Sequence, residues 1–132
     1  MRFEKDREET MRLERRQRRS DELCEALGLQ LEYSAARANF RSMALAEERG
    51  LLVVGSGDSA ELEEIAALAP LLAGQSRYWQ GRVETQAGQR LMSVATIDTP
   101  LGVFYLTALD GSLSAIWSEL RRSSQGVARI VT

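Results

Sequence analysis

The sequence predicts an α+β fold in which a five-stranded antiparallel sheet is sandwiched between helices. Segment 50–74 changes from an unbroken apolar run to an apolar period of 3.6 residues, which indicates a strand, a turn and a helix. Segment 82–109 holds three strand-like runs separated by short turn sequences, as in a β-meander. The chain has 132 residues, 44% of them apolar, which suffices for one well-buried core. We therefore expect one domain with the order helix, two strands, helix, three strands, helix.

A charged extension precedes that domain. The first 19 residues carry eight Lys/Arg and five Asp/Glu, a charge of about +3 in a chain whose net charge is −2. Glu8 with Arg12, and Glu14 with Arg18, are i,i+4 pairs that favour a solvated helix. We predict an Arg-rich arm over 1–19, helical or disordered, and a folded domain over 20–132.

The basic cluster of the arm is a candidate partner-binding surface. It could contact RNA, an anionic membrane or an acidic protein. No aromatic residue is interleaved among the basic residues of this cluster, unlike in nucleic-acid-binding motifs, which favours a solvated extension over a nucleic-acid site. The residues concerned are Arg15, Arg16, Arg18 and Arg19.

An amphipathic helix is predicted over 20–37, with Ser20 as its N-cap. Leucines recur at four-residue steps on one face, and Gly28 weakens the helix locally. We expect Cys24, the only cysteine, to be a small buried residue of this face. The predicted apolar face consists of Leu23, Cys24, Ala26, Leu27, Leu31 and Ala35.

Two strands should follow as an antiparallel pair. The first is 40–47, with Met43 and Leu45 on one side and Phe40, Ala44 and Ala46 on the other. The turn 48–50 is short, so the apolar run 51–54 must lie antiparallel beside it.

The central helix begins near Ser59. Asp58 and Glu61 have the spacing of a capping box, in which each side chain bonds the other residue's N–H. Pro70 should bend or end the helix. The predicted core face is Leu62, Ile65, Ala66, Ala69, Leu72 and Ala73; a second, narrower stripe of Ala60, Ala67 and Leu71 is flanked by Glu63 and Glu64.

A link over 74–81 should lead to strands 82–86, 90–99 and 102–109. Tyr78 and Trp79 in this link either pack against the helix end or remain free for a partner. Ala87-Gly88 provides a two-residue hairpin turn, and the second turn spans 99–102. The last strand is apolar on both faces and belongs in the middle of the sheet.

The final helix is predicted to begin at Ser112 as its N-cap. Its apolar residues recur at helical spacing, and Trp117 is interpreted as a core residue. The predicted packing face is Leu113, Ile116, Trp117, Leu120 and Val127.

The composition argues against an enzyme. The chain lacks histidine, the commonest general base and transition-metal ligand, and Lys5 in the arm is its only lysine. Gly55-Ser56-Gly57 precedes a helix but lacks the spacing and the lysine of a phosphate loop, and Asp58 would repel the phosphate. We expect no catalytic residue, cofactor or metal. The charged N-terminus and the absence of a long apolar run predict a cytoplasmic protein without a membrane span.

Three stretches resemble the roadblock family, the dynein light chain type that includes regulators of small Ras-like GTPases. They are MALAEERGLLVVGSG (43–57), ELEEIAALAPLLA (61–73) and VETQAGQRLMSVATIDTPLGVFYLTALDGSLSAIWSELRR (83–122). The resemblance implies a homodimer in which the central helices pair and the edge strands join two sheets. It places the interface at Ala60, Glu63, Glu64, Ala67, Leu71, Val83 and Thr85.

The leading hypothesis is a non-catalytic homodimeric module that binds a small Ras-like GTPase or its complex. One alternative is a scaffold subunit without a GTPase partner, attached through the Arg-rich arm. Another is a small-ligand sensor, which an apolar pocket would favour. Tyr78 and Trp79 complete the candidate partner-binding set with the four arm arginines.

Overall fold

The structure, a computed structural model, describes residues 2–132, so Met1 of the predicted arm lies outside the described residues. Three helices and five strands follow the predicted order, and the sheet is antiparallel throughout, with strand order β2-β1-β5-β4-β3. The predicted fold class is confirmed, including the central place of the last strand. The elements are α1 (Arg2–Ala38), β1 (Phe40–Glu47), β2 (Leu52–Ser56), α2 (Ser59–Ala73), β3 (Tyr78–Thr85), β4 (Gly88–Thr99), β5 (Gly102–Asp110) and α3 (Ile116–Val131).

The helix α1 is continuous over 37 residues, so the prediction that a helix begins at Ser20 is wrong. The stretch before Ser20 is rich in Arg and Glu, which are strong helix formers, and contains neither Gly nor Pro to stop the helix. The predicted burial of Cys24 is also wrong, because this side chain is exposed. Leu23 still packs against the core, so Cys24 is exposed because it lies beside the buried face of α1 rather than on it.

Two apolar cores lie on the two faces of the sheet. The helices α1 and α3 cover one face, where Leu31, Met43 and Leu120 are fully buried. The helix α2 covers the other face with Ile65 and Ala69. The sheet is therefore sandwiched between helices, as the sequence predicted.

Phe40 faces the side opposite to the one predicted. It packs in the α1/α3 core with Met43, whereas Ala44 and Ala46 face α2. The register between β1 and β5 shifts between Phe40 and Ser42, and this irregularity reverses the side on which Phe40 lies.

The strand β3 begins at Tyr78, so the prediction of a link over 74–81 is wrong in its second half. The hairpin turn to β4 consists of Gln86 and Ala87, one residue earlier than predicted, because Thr85 pairs with Gly88. Gly88 has φ 97°, a conformation that glycine adopts at little cost, and it opens β4.

The last helix begins at Ile116 rather than at the predicted cap. Ala115 is the N-cap residue and provides no side-chain cap, whereas the Ser112 carbonyl accepts from the N–H of Ala115 at 2.8 Å in the preceding turn. The predicted packing face is partly wrong, since Leu113 is 79% exposed and Trp117 is 38% exposed. The buried face consists of Ile116, Glu119, Leu120, Ser123, Gly126, Val127 and Val131.

Candidate functional site

The helix α2 presents a small-residue stripe to solvent. Asp58 caps the helix, its carboxylate accepting from the Glu61 N–H at 3.1 Å, as predicted. Opposite the buried face, Ala60 and Ala67 are exposed, and Leu71 is 79% exposed. An exposed leucine that follows two exposed alanines leaves apolar surface that another helix could approach closely.

The strand β3 forms one edge of the sheet, and the turn that follows it is hydrogen-bonded to α2. It pairs with β4 only, so the hydrogen-bonding groups along its outer side have no strand partner. The opposite edge, β2, has five residues and a register shift against β1, whereas β3 has eight residues in regular register. Of the two edges, β3 is the better template for adding a strand.

The two acidic residues beside the stripe have different environments. Glu63 is exposed, but Glu64 is half-buried and accepts from the Gln86 N–H at 3.3 Å. This bond ties α2 to the β3–β4 turn and so holds the helix next to the end of the edge strand.

The predicted interface residues of β3 face α2. Val83 is half-buried and packs against the α2-side core. The Thr85 hydroxyl donates to the Gly88 carbonyl at 2.8 Å and accepts from the Ala87 N–H at 3.2 Å. Both hydrogen bonds lie within the β3–β4 hairpin. At this edge the backbone of β3, rather than the Thr85 side chain, is therefore available to a partner.

The Glu61 carboxylate serves a different purpose from the predicted one. It accepts from Arg41 Nε at 3.1 Å and from the Ser42 hydroxyl, both on β1. Glu61 is buried, and this cluster fixes the first turn of α2 onto the sheet. Only the Asp58 half of the capping box forms.

The glycines before α2 are explained by packing. A Cβ at Gly55 would lie 2.7 Å from a Leu62 methyl carbon, and a Cβ at Gly57 would lie 2.8 Å from the Ser42 hydroxyl oxygen. Both positions let α2 and β1 approach closely, which accounts for the Gly-Ser-Gly sequence without a phosphate ligand.

The described residues offer few groups for chemistry. Within 2–132, no cluster of three His, Cys, Asp or Glu is arranged to hold a metal ion. None of the helices in the described range combines the length and the apolar character needed to cross a bilayer.

The structure gathers part of the predicted basic cluster. Arg15, Arg16 and Arg19 join Arg12 along one groove of about 230 Å³ on the surface of α1. Arg18 does not line this groove, because it falls on another side of the helix. Arg12 was not included in the predicted cluster. The spacing of the four groove arginines at i, i+3, i+4 and i+7, which places them on one face of a helix, could have identified it.

Tyr78 and Trp79 do not form one surface. They are neighbours on a strand and so point to opposite faces of the sheet. Trp79 packs against the α2-side core, whereas Tyr78 is 51% exposed on the α1/α3 side. There it contacts Trp117 of α3, so the prediction that Trp117 is a core residue is wrong.

Comparison with solved structures identifies the fold. MglB of Myxococcus xanthus superposes with a TM-score of 0.62 at 12% identity, covering 82% of this chain and 89% of that one. A Roadblock/LC7 domain from Streptomyces avermitilis gives 0.61 at 22% identity, covering 79% and 96%. The chain has the Roadblock/LC7 fold. The gliding protein MglB of Thermus thermophilus shares this fold, with a TM-score of 0.59 at 16% identity over 82% of this chain and 90% of that one.

The Roadblock/LC7 fold is shared without close sequence similarity. No protein-family model matches the sequence, and no curated protein matches it. The likeness covers about four-fifths of this chain and about nine-tenths of the MglB chains, so it spans nearly the whole of those proteins. The resemblance noted in the sequence therefore agrees with the architecture.

Proposed function

We propose that the chain is a non-catalytic homodimeric interaction module that binds and regulates a small Ras-like GTPase or its complex. The observation that carries the proposal is the exposed stripe of Ala60, Ala67 and Leu71 on α2, adjacent to the unpaired edge of β3. A symmetric dimer would cover both features at once.

The α2 stripe suits pairing with its own copy. Alanine side chains let two helix axes approach at the short end of the usual spacing of about 8 to 10 Å. In a two-fold dimer each residue of the stripe contributes to the interface from both copies, and the exposed Leu71 side chain of each copy becomes buried. Antiparallel pairing of the two β3 strands would extend the sheet across the dimer and satisfy the free edge.

The GTPase partner is inferred from the family. The sequence resembles roadblock-type regulators of small GTPases, and the fold matches MglB over most of both chains. A joined sheet flanked by paired helices presents a broad rigid surface of the kind that a folded partner can bind. The chain would act by binding, since it supplies no histidine and its one lysine lies on the arm.

The test is to measure binding to Ras-like GTPases of the source organism, beginning with any encoded beside this chain. Each would be loaded with GDP or with a non-hydrolysable GTP analogue and titrated calorimetrically. We expect nucleotide-dependent binding by a dimer and a changed rate of GTP hydrolysis or exchange. Failure of every such GTPase to bind, in both nucleotide states, would contradict the GTPase part of the proposal.

The exposed N-terminal part of α1 favours a second candidate function, that of a scaffold subunit attached to a larger complex through the Arg-rich arm. The groove of Arg12, Arg15, Arg16 and Arg19 lies on an exposed stretch of helix. Under this proposal, deletion of 1–19 would abolish assembly with a larger complex while leaving the dimer intact. The small-ligand alternative has less support, because the cavity of about 460 Å³ beside Tyr78 and Trp117 is an open groove at the domain surface.

A further inference from the structure

A groove between α3 and the start of β3 is lined by two exposed aromatic side chains. The rings of Tyr78 and Trp117 meet edge to face, with centroids 5.6 Å apart and planes at 81°. With Ser118 and Arg121 they line a cavity of about 460 Å³, which adjoins a second of about 410 Å³. Ala95 and Ile97 of β4 contribute to the second cavity.

The groove exists because the helical layer stops short of the edge strand. The side chains of β3 that face the α1/α3 side are all exposed, in contrast to the half-buried ones that face α2. Tyr78 is 51% exposed and Trp117 is 38% exposed although their rings pack against each other. The pair therefore offers a partner apolar surface whose side chains are already held in place. The exposed residues on this side of β3 are Tyr78, Gln80, Arg82 and Glu84.

The charge of the groove selects the partner. Arg77 and Arg121 line it, and neither forms an ion pair with any residue in the described range. Asp98 is the acidic residue of the lining. Guanidinium groups beside aromatic rings favour carboxylates next to an apolar side chain.

We propose that this groove binds an acidic peptide segment of a partner protein, with one apolar or aromatic side chain seated against Tyr78 and Trp117 and carboxylates on Arg77 and Arg121. The chain's own Arg-rich arm is a poor occupant, because its basic residues would face these arginines. The groove lies on the sheet face opposite α2, so the proposal uses neither the α2 stripe nor the GTPase. Tyr78 belongs to β3, whose outer edge joins the proposed dimer, so the groove lies next to that edge.

Nuclear magnetic resonance provides a direct test, because the protein has two tryptophans on opposite sheet faces. Their indole N–H signals would be assigned with Trp117→Phe. The probes are synthetic dodecapeptides with a central Leu, Phe or Trp flanked by Glu, and matched peptides with Gln or Lys in place of Glu. We expect the acidic peptides to shift the Trp117 signal and leave that of Trp79, which packs under α2, in place.

Variants on α3 separate the charge from the aromatic contact. Arg121→Glu should weaken binding of the acidic peptide about tenfold, and Trp117→Ala by a similar factor. Arg122→Glu is the matched control, because Arg122 is exposed on the same helix but does not line the groove; the peptide affinity should change less than about twofold. Arg121 is exposed, so its substitution should not impair folding even if that of Trp117 does.

Three results would overturn the proposal. One is the absence of a Trp117 shift with every acidic peptide. Another is equal binding of the Glu and Lys peptides, which would indicate nonspecific apolar contact. The third is conversion of a dimer to a monomer by Arg121→Glu, which would assign the groove to contact between copies of the chain.

Discussion

Arg41 on β1 donates from its Nε to the Glu61 carboxylate on α2 at 3.1 Å, with the Ser42 hydroxyl donating to the same carboxylate. This cluster joins the first turn of α2 to the sheet next to the cap at Asp58. It thereby fixes the orientation of the helix whose outer stripe carries the proposed dimer contact.

Glu61→Ala should lower the free energy of unfolding by about 2 kcal/mol. The substitution removes the acceptor of the Ser42 hydroxyl, which is buried, while the ion pair adds less because Arg41 is 43% exposed. Urea unfolding would measure the change. Glu32→Ala, at an exposed position of α1 outside the proposed interface, is the control, expected within about 0.5 kcal/mol of wild type. Equal stability of the two variants would contradict a structural role for the cluster.

The β1–β2 turn should lose stability in acid. Desolvation alone would raise the pKa of Glu47, but hydrogen bonds from the Leu51 N–H, the Arg49 guanidinium and the Arg49 N–H lower that pKa below its ordinary value of 4.5. A carboxylate with a depressed pKa stabilises the folded state above its unfolded pKa and loses that contribution as the pH falls through the folded value. Glu47→Gln should therefore lower Tm at neutral pH, with a difference from wild type that shrinks below pH 4.5. A difference that is constant with pH would show that the carboxylate charge is not responsible.

Deletion of 1–19 should leave Tm within about 3 °C of the full chain. The described residues of this stretch from Glu4 onward are exposed, and Ser20 can then serve as the N-cap of the shortened helix. Deletion of 1–27 is the control, expected to destabilise strongly because it removes the buried Leu27. A large loss from the shorter deletion, or insoluble protein, would place the arm within the core or the dimer.

The purified protein should not hydrolyse GTP or other nucleotides alone. It lacks histidine and a phosphate loop, and the glycines before α2 serve packing. Phosphate release would be measured with the chain alone and with a Ras-like GTPase added. Hydrolysis by the chain alone that Ser56→Ala or Asp58→Ala abolishes would overturn the non-enzyme proposal.

The elements with strong periodicity could be predicted from the sequence. β1 has the predicted bounds, α2 begins at Ser59 as predicted, and β5 lies in the middle of the sheet. These features depend on local signals, namely an apolar run, a cap and short turns, that point to the same structure as the tertiary packing.

The predictions that were wrong concern features that depend on contacts between residues distant in sequence. The side on which Phe40 lies is decided by a register shift against β5. Trp117 is exposed because the helical layer leaves that side of β3 uncovered. Helical spacing shows which residues share a face but not how far the neighbouring layer extends. For the same reason the arm arginines could be found from composition, whereas the groove of Tyr78, Trp117 and Arg121 could not.

The dimer is the central claim, and light scattering of wild type and Ala67→Glu tests it most directly. Ala67 is exposed on α2, so the substitution should spare the monomer core while placing two carboxylates in the symmetric helix contact. Ala36→Glu, at an exposed alanine of α1, is the matched control. We predict that wild type and the control have twice the chain mass of 14.7 kDa, whereas Ala67→Glu is a folded monomer of 14.7 kDa. An Ala67→Glu protein that remains dimeric and equally stable would contradict the proposed helix pairing.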